Sequence, residues 1–111
     1  MRIFVYGTLK DGFPNHRYLW GCRFIGIDAV NGKLYNLGAF PGLKASEDGR
    51  VSGEVWECPA KTTETLDFLE GHPTFYKREP TVTVGGIEVQ TYYYQGACDE
   101  RSRIESGNWE F

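Results

Sequence analysis

Ile3-Phe4-Val5-Tyr6-Gly7 is a continuous apolar run of β-favouring residues that is closed by a glycine. An unbroken apolar run, without alternating polar residues, is typical of a strand buried on both of its faces. We therefore predict that residues 3–6 form a central strand and that the chain leaves the sheet at Gly7.

Further strand-like segments follow this run and are separated by turn signals. The predicted strands span residues 22–30, 34–37, 51–57, 75–84 and 87–95. Asn31-Gly32 and Gly85-Gly86 are two-residue turn signals, and each predicts a hairpin between the strands on either side of it. Residues 38–42 are predicted as a loop, and residues 47–50 as a second turn.

One definite helix is predicted late in the chain. Thr62 or Thr63 can serve as its N-cap, and Gly71 and Pro73 end it after little more than two turns. The apolar residues of this helix, which are expected to face the sheet, are Leu66, Phe68 and Leu69.

These elements predict an α+β fold. The five or six strands are expected to curl into a small mixed, mostly antiparallel β-barrel with one or two short flanking helices, the second being a turn over residues 14–19. No repeat or linker interrupts the sequence, so we expect a single domain over residues 1–111. The tail from Ala97, which carries Ile104, Trp109 and Phe111, is expected to dock through a few aromatic contacts.

Charge and cysteine content exclude several classes of function. Twelve Lys and Arg against fifteen Asp and Glu give a formal net charge of −3. The sequence contains no run of basic residues of the kind that binds a phosphate backbone, so nucleic acid is not an expected partner. Three separate cysteines without a CxxC pair favour a reducing compartment, and we predict a cytoplasmic protein. No signal-peptide pattern and no membrane-spanning stretch are expected.

No metal site is expected. His16 and His72, together with the scattered cysteines, lack the spacing of zinc ligands. Each histidine is expected to be a hydrogen-bonded or solvated loop residue, and the tyrosines at residues 92–94 are explained by packing.

The turn after the first strand is one candidate site. Because Gly7 has no Cβ, the backbone can adopt a positive φ there and direct successive N–H groups towards one anion. A tight turn that merely leaves the strand explains the same residues, and both interpretations stay open on pattern alone.

Glu70 is the second candidate. A glutamate in the last turn of a helix faces the negative end of the helix dipole, which disfavours its ionised form. Burial would raise its pKa further, as a general base that later returns its proton requires. By position alone, a solvated surface glutamate is the simpler interpretation.

Two motifs together resemble the γ-glutamyl cyclotransferase superfamily, and within it most closely the γ-glutamylamine cyclotransferases. One is Tyr6-Gly7-Thr8-Leu9-Lys10, and the other consists of Leu66-Asp67, Glu70-Gly71, Pro73, Tyr76 and Arg78. The similarity extends to Asn15-His16-Arg17, Phe40-Pro41, Gly53-Glu54-Val55 and a tyrosine-rich last strand. It therefore covers most of the chain.

This resemblance implies a barrel with a cavity roofed by residues 6–10. It also implies an enzyme that needs no cofactor and converts a small-molecule γ-glutamyl amide, such as γ-glutamyl-ε-lysine, into 5-oxoproline and a free amine. By position, Glu70 is the expected catalytic residue. The expected substrate-binding residues are Tyr6, Gly7, Thr8, Leu9 and Tyr76.

The chemistry of this reaction suits a single carboxylate. The substrate's α-amino group has to lose a proton before it attacks the γ-carbonyl carbon, and Glu70 would accept that proton and return it to the leaving nitrogen. The loop N–H groups would bind either the substrate carboxylate or the developing oxyanion.

Two other classes of function remain compatible with the sequence. One is a non-catalytic module that binds a small ligand on the same barrel. The other is a barrel that recognises a protein or nucleic acid through an exposed aromatic patch. The amine half of the substrate and the oligomeric state are not predicted.

Overall fold

The computed structural model describes residues 1–110. In chain order, its strands are β1 Arg2–Val5, β2 Arg23–Asn31, β3 Lys33–Asn36, β4 Pro41–Lys44, β5 Arg50–Glu57, β6 Tyr76–Val82 and β7 Glu88–Tyr94. The helix α1 spans Ala60–Leu69, and two short 3₁₀ segments span His16–Leu19 and Glu100–Ser102.

The main sheet has β1 at its centre, as the opening apolar run predicts. Its strand order is β2-β5-β1-β7-β6, and all of its pairs are antiparallel except β1 with β7. Ile3, Phe4 and Val5 are buried because both faces of the sheet are covered. The α+β class with a mostly antiparallel sheet is therefore confirmed.

The barrel prediction is wrong, because the sheet does not close. Its edge strands β2 and β6 pair only with β5 and β7, whereas a barrel needs its edges to pair with each other. The remaining strands, β3 and β4, form a separate two-stranded sheet. Leu34 and Leu43 of this small sheet pack in one cluster with Phe4 and Val55 of the main sheet.

The predicted hairpin at Asn31-Gly32 is also wrong. The partner of β2 is β5, and the Gly32 N–H donates to the Gly49 carbonyl at 3.1 Å. Gly32 does not adopt a positive φ. A Cβ on Gly32 would lie 2.8 Å from the Lys44 carbonyl oxygen, so the glycine permits the close approach of β4. Residues 41 and 42, predicted as loop, begin β4.

The second predicted hairpin is confirmed. β6 and β7 pair from Tyr76 opposite Tyr94, although their connection spans residues 83–87 rather than Gly85-Gly86 alone. Gly86 adopts a φ of 87°, and its N–H donates to the Thr83 carbonyl at 2.9 Å. Glycine is suited to this conformation because it has no Cβ.

The helix lies where it is predicted, with two differences. Pro59 rather than Thr62 or Thr63 occupies the N-cap position. Phe68 is 90% exposed and Leu69 is 37% exposed, although both are predicted to face the sheet. The buried residues of α1 are Thr63 and Leu66, three positions apart; Phe68 follows Leu66 by two residues and so lies on the opposite face.

The two faces of the main sheet carry separate cores. Helix α1 and the first 3₁₀ segment cover one face, where Ile3, Leu9 and Leu66 belong to one cluster. The chain that follows β1 therefore lies on the same side as α1. The small sheet and the tail cover the other face, where Trp109 is buried.

The predicted docking of the tail is confirmed for its described part. Ile104 packs against the core, and its N–H donates to the Leu34 carbonyl at 2.8 Å. Phe111 lies outside the described residues. Among residues 1–110, no helix has the length and apolarity needed to cross a membrane.

Candidate functional site

A cavity of about 230 Å³ lies between the turn after β1 and the end of α1. Its lining residues are Phe4, Val5, Tyr6, Gly7, Thr8, Leu9, Asn15, Phe40, Pro41, Leu69, Glu70, Phe75, Tyr76 and Tyr92. All six residues predicted for the site are among them. The fold brings them together because β1 and α1 both end at this side of the sheet.

Glu70 lies at the C-cap of α1, where its backbone N–H donates to the Leu66 carbonyl at 2.9 Å. Its carboxyl group is half-buried and forms no hydrogen bond or ion pair with another residue among residues 1–110. Burial raises the pKa of Glu70 from 4.5 to about 7. The carboxyl can therefore both accept and release a proton near neutral pH.

Three tyrosines close to Glu70 leave its carboxyl group unpaired. Burial is the main cause that raises the pKa of Tyr6, Tyr76 and Tyr92, and the hydrogen bond to Asp67 raises the pKa of Tyr92 further; the charge of Glu70 acts in the same direction on all three, so they are neutral. Each hydroxyl donates elsewhere: Tyr6 to the Tyr92 carbonyl at 2.7 Å, Tyr76 to the Pro41 carbonyl at 2.6 Å, and Tyr92 to Asp67 Oδ1 at 2.6 Å.

Asp67, one helical turn before Glu70, has the opposite environment. Arg78 donates to both of its carboxylate oxygens, from Nε at 2.8 Å and from Nη2 at 3.1 Å. Burial alone would raise the pKa of Asp67, but the hydrogen bonds from Arg78 and Tyr92 lower it. Asp67 is thus held ionised while Glu70 is poised to titrate.

The turn after β1 carries three unused donors. The Lys10 N–H closes the turn on the Gly7 carbonyl at 3.1 Å. The N–H groups of Gly7, Thr8 and Leu9 donate to no protein group in the described part of the chain. Asn15 supports the turn, since its Nδ2 donates to Thr8 Oγ1 at 3.0 Å. Successive free N–H groups are what an anion-binding turn offers.

The glycine of this turn has a different role from the expected one. Gly7 does not adopt a positive φ. A Cβ at this position would lie 2.7 Å from Cγ of Pro41. Glycine is therefore needed because β4 approaches the turn closely, not because the backbone is left-handed.

Two buried charges fix the turn to the rest of the fold. Lys10 Nζ donates to Asn108 Oδ1 at 3.0 Å and to the Trp109 carbonyl at 2.8 Å. The Asp11 N–H donates to Glu54 Oε1 at 3.0 Å. The turn is thus held by the tail on one side and by β5 on the other.

Several lining residues carry no role in the sequence-based site. Asn15, Phe40 and Pro41 belong to the matching motifs but receive no function from them, and Tyr92 is assigned only to packing. Phe75 precedes Tyr76 without any signal of its own. Only the pairing of distant strands places these residues at one cavity.

The described residues offer no obvious metal site. They contain no group of three or more His, Cys, Asp or Glu side chains placed to hold an ion. His16 Nδ1 lies 2.9 Å from the Leu9 carbonyl oxygen, and His72 Nδ1 accepts the Arg78 N–H at 2.9 Å. Both histidines are hydrogen-bonded to the backbone.

Comparison with known proteins identifies similar chains. The family model described as "Gamma-glutamyl cyclotransferase, AIG2-like" matches residues 3–111. A putative gamma-glutamylcyclotransferase of Vibrio cholerae is 38% identical over 109 residues, covering 96% of this chain and 93% of its own length.

Solved structures show the same fold. An uncharacterised protein from Pyrococcus horikoshii matches with a TM-score of 0.83 and 32% identity, over 97% of this chain and 88% of its own. An AIG2-like protein from Mus musculus matches with a TM-score of 0.86 and 25% identity, over 98% of this chain and 87% of its own.

Proposed function

Since the chain belongs to the gamma-glutamyl cyclotransferase, AIG2-like family, we propose that it converts a γ-glutamylamine into 5-oxoproline and a free amine, with Glu70 as general acid/base. The observation that carries this proposal is the unpaired Glu70 carboxyl, with a pKa of about 7, in the cavity formed by the turn after β1. No cofactor takes part in the proposed reaction.

The size of the cavity supports a substrate of this kind. A volume of about 230 Å³ corresponds to roughly eight water molecules at about 30 Å³ each. It is somewhat below the usual volume of ligand sites, which is about 300 Å³ or more, and suits a small group such as the γ-glutamyl group, which has about nine non-hydrogen atoms. The amine half of the substrate would then extend towards the solvent.

Glu70 would transfer protons between the two nitrogens of the substrate. Its carboxylate accepts a proton from the α-ammonium group, whose freed lone pair attacks the γ-carbonyl carbon. The new carbon–nitrogen bond closes the five-membered ring, and the bond to the amine then breaks. Two protons leave the α-nitrogen in all, and both end on the released amine, so Glu70 is regenerated.

The turn after β1 would bind the substrate's α-carboxylate. No Lys, Arg or His side chain of the described residues lines the cavity, so an anion there depends on neutral donors. The free N–H groups of Gly7, Thr8 and Leu9 are such donors. Fixing the carboxylate at this point favours the folded substrate conformer that ring closure needs.

Tyr6 and Tyr76 would act through their rings rather than through their hydroxyl protons. Both hydroxyls already donate to backbone carbonyls, so neither has a proton free for the substrate. Their rings line the same cavity as Glu70, where they would exclude water. A site without water strengthens the electrostatic interactions that assist proton transfer, and it holds the pKa of Glu70 near neutral.

The test compares wild-type protein with Glu70→Gln on γ-glutamyl-ε-lysine and related amides, with 5-oxoproline measured by mass spectrometry. We expect the substitution to lower turnover by about 100-fold or more, because the amide cannot accept the proton. The exposed Glu64 of the same helix gives the matched control, Glu64→Gln, which should retain full activity.

The pH dependence gives an independent check. The kcat/KM of the wild type should rise up to about pH 7, since only ionised Glu70 accepts a proton. If Glu70→Gln retains more than about a tenth of the rate, Glu70 is not the acid/base. Binding of 5-oxoproline without turnover of any amide would instead identify a ligand-binding module.

A cytoplasmic location stays a prediction. Its support is that Cys22, Cys58 and Cys98 are all free thiols, as a reducing compartment favours. Cell fractionation would test it.

A further inference from the structure

The solvent side of the cavity is formed by apolar side chains. We call Phe40, Leu69 and Phe75 the aromatic mouth; all three line the cavity. Leu69 is 37% exposed and Phe75 is 44% exposed, so the cavity reaches the surface beside them. The Phe75 ring is packed edge-on against Phe40 at 5.9 Å and against Tyr76 at 5.1 Å between centroids.

This mouth provides no partner for a charged group. Among residues 1–110, Glu70 is the only one with a charged side chain that lines the cavity. The nearby cation Lys44 does not line the cavity; its Nζ donates to the Tyr94 carbonyl at 2.9 Å and lies 5.4 Å from the centre of the Tyr94 ring. A carboxylate on the substituent would therefore find no cation among the residues that line the cavity in the described part of the chain.

The chain links Glu70 directly to the mouth. Leu69 precedes Glu70, and the turn that follows is closed by the Tyr76 N–H donating to the Glu70 carbonyl at 3.2 Å. Phe75 lies in this turn. Because Glu70 has to reach the leaving nitrogen to protonate it, the substituent on that nitrogen starts beside Leu69 and Phe75.

We propose that the aromatic mouth is the subsite for the released amine and that it selects an apolar, preferably aromatic, substituent over a charged one such as the amino-acid end of lysine. This inference rests on the proposed function and narrows its substrate class. An aromatic ring in the mouth removes apolar surface from water and adds edge-to-face contacts with Phe75. A charged end would lose water there without gaining a partner.

The experiment uses four γ-glutamyl amides that share the glutamyl half. Their amines are benzylamine, n-butylamine, the ε-amine of lysine and 4-(aminomethyl)benzoic acid. All are primary alkyl amines, so the bond that breaks is chemically similar in each. The kcat/KM is measured on wild-type protein, and the dissociation constant is measured by calorimetry on Glu70→Gln, which keeps the mouth intact.

We expect the benzylamide to exceed the lysine and carboxybenzyl amides by roughly tenfold or more in kcat/KM and in affinity. Phe75→Ala should remove most of this preference, and Phe75→Leu, which keeps apolar volume, should remove part of it. Phe68→Ala is the matched control: Phe68 is an exposed phenylalanine of α1 that does not line the cavity, so the preference should stay unchanged.

The outcomes separate this inference from the proposed function. Equal or better use of the lysine amide would overturn the subsite while leaving the reaction in place. Tighter binding of the benzylamide without release of 5-oxoproline would support the subsite and refute the reaction. Equal affinities of Glu70→Gln for all four amides, with no turnover by the wild type, would refute both.

Discussion

Asp67 and Glu70 show at the scale of single residues that surroundings, rather than residue type, set the behaviour of a carboxyl group. Both belong to the C-terminal end of α1 and are three positions apart. Asp67 accepts hydrogen bonds from Arg78 and Tyr92, whereas Glu70 has no partner among residues 1–110. The first is a structural anion, and the second is a group with a pKa of about 7.

Replacing Glu70 should stabilise the protein in a pH-dependent way. Because the pKa of Glu70 is about 7 in the folded protein against 4.5 normally, the folded state binds its proton more tightly than the unfolded state does. The stability that protonated Glu70 gives is fully present below about pH 4. It is lost as the pH rises to about 7, and this ionisation lowers the free energy of unfolding by about 1–3 kcal/mol.

We therefore expect Glu70→Gln to raise the Tm at pH 8 but not at pH 4, as measured by thermal unfolding at both values. Glu64→Gln, on the exposed face of α1, should change the Tm little at either pH. If Glu70→Gln raises the Tm no more at pH 8 than at pH 4, the Glu70 carboxyl is not desolvated.

The glycine at position 7 yields a steric prediction. A Cβ there would lie 2.7 Å from Pro41, so Gly7→Ala should push β4 away from the turn and disturb the cavity. We expect a lower Tm and at least a tenfold loss of kcat/KM. Gly26→Ala is the control, since its Cβ would meet no atom within 4 Å and its φ is not positive; equal behaviour of the two variants would contradict this explanation.

At the scale of elements, the end of α1 is clamped to β6. Arg78 holds Asp67 through two hydrogen bonds, and its backbone N–H donates to His72 Nδ1 at 2.9 Å. These bonds hold the chain on both sides of Glu70. Arg78 is therefore a positioning residue for the carboxyl, and it does not line the cavity itself.

Arg78→Lys keeps the positive charge but loses the two-pronged geometry. We expect a loss of about 1–2 kcal/mol in the free energy of unfolding and a fall in kcat with little change in KM, because the substrate still binds but Glu70 is misplaced. Lys77→Ala, the exposed neighbour in β6, serves as control. Denaturant unfolding and steady-state kinetics separate the two effects, and a change confined to KM would refute the positioning role.

Local sequence signals predicted most elements but not their pairing. The apolar run of β1 and the Gly85-Gly86 turn carry their information within a few residues, so strand and hairpin follow directly. Asn31-Gly32 carries an equally strong local signal, yet the chain there continues to pair with β5. β2 pairs with β5 rather than with β3. This choice depends on the packing of Gly32 against Leu43 and Lys44 of β4, which the local pattern around Asn31-Gly32 does not contain.

At the scale of the whole molecule, the cavity depends on both layers that cover the main sheet. Glu70 comes from the layer of α1, whereas Pro41 begins β4 of the small sheet. The motifs therefore predict six residues that all line the cavity, but they give no function to the residues of the aromatic mouth. Phe75 lies in the turn between Glu70 and β6, where no sequence pattern marks it.

The tail connects the outer core to the turn after β1, which gives the last prediction. Trp109 is 2% exposed in the core beneath the small sheet, and its carbonyl accepts the Lys10 Nζ hydrogen bond at 2.8 Å. Removing the indole in Trp109→Ala should cost about 3–5 kcal/mol and lower the Tm by roughly 10 °C or more. Lys10 would then lose a fixed acceptor.

The matched control is Trp20→Ala, because Trp20 is 77% exposed and its loss should shift the Tm by no more than a few degrees. Both variants are compared by thermal unfolding and by kcat/KM well below the lower Tm. If the tail holds the turn, Trp109→Ala loses activity even where it is folded, because the N–H groups of Gly7, Thr8 and Leu9 are no longer fixed. Full activity of the folded Trp109→Ala protein would show that β5 alone, through Glu54, holds the turn.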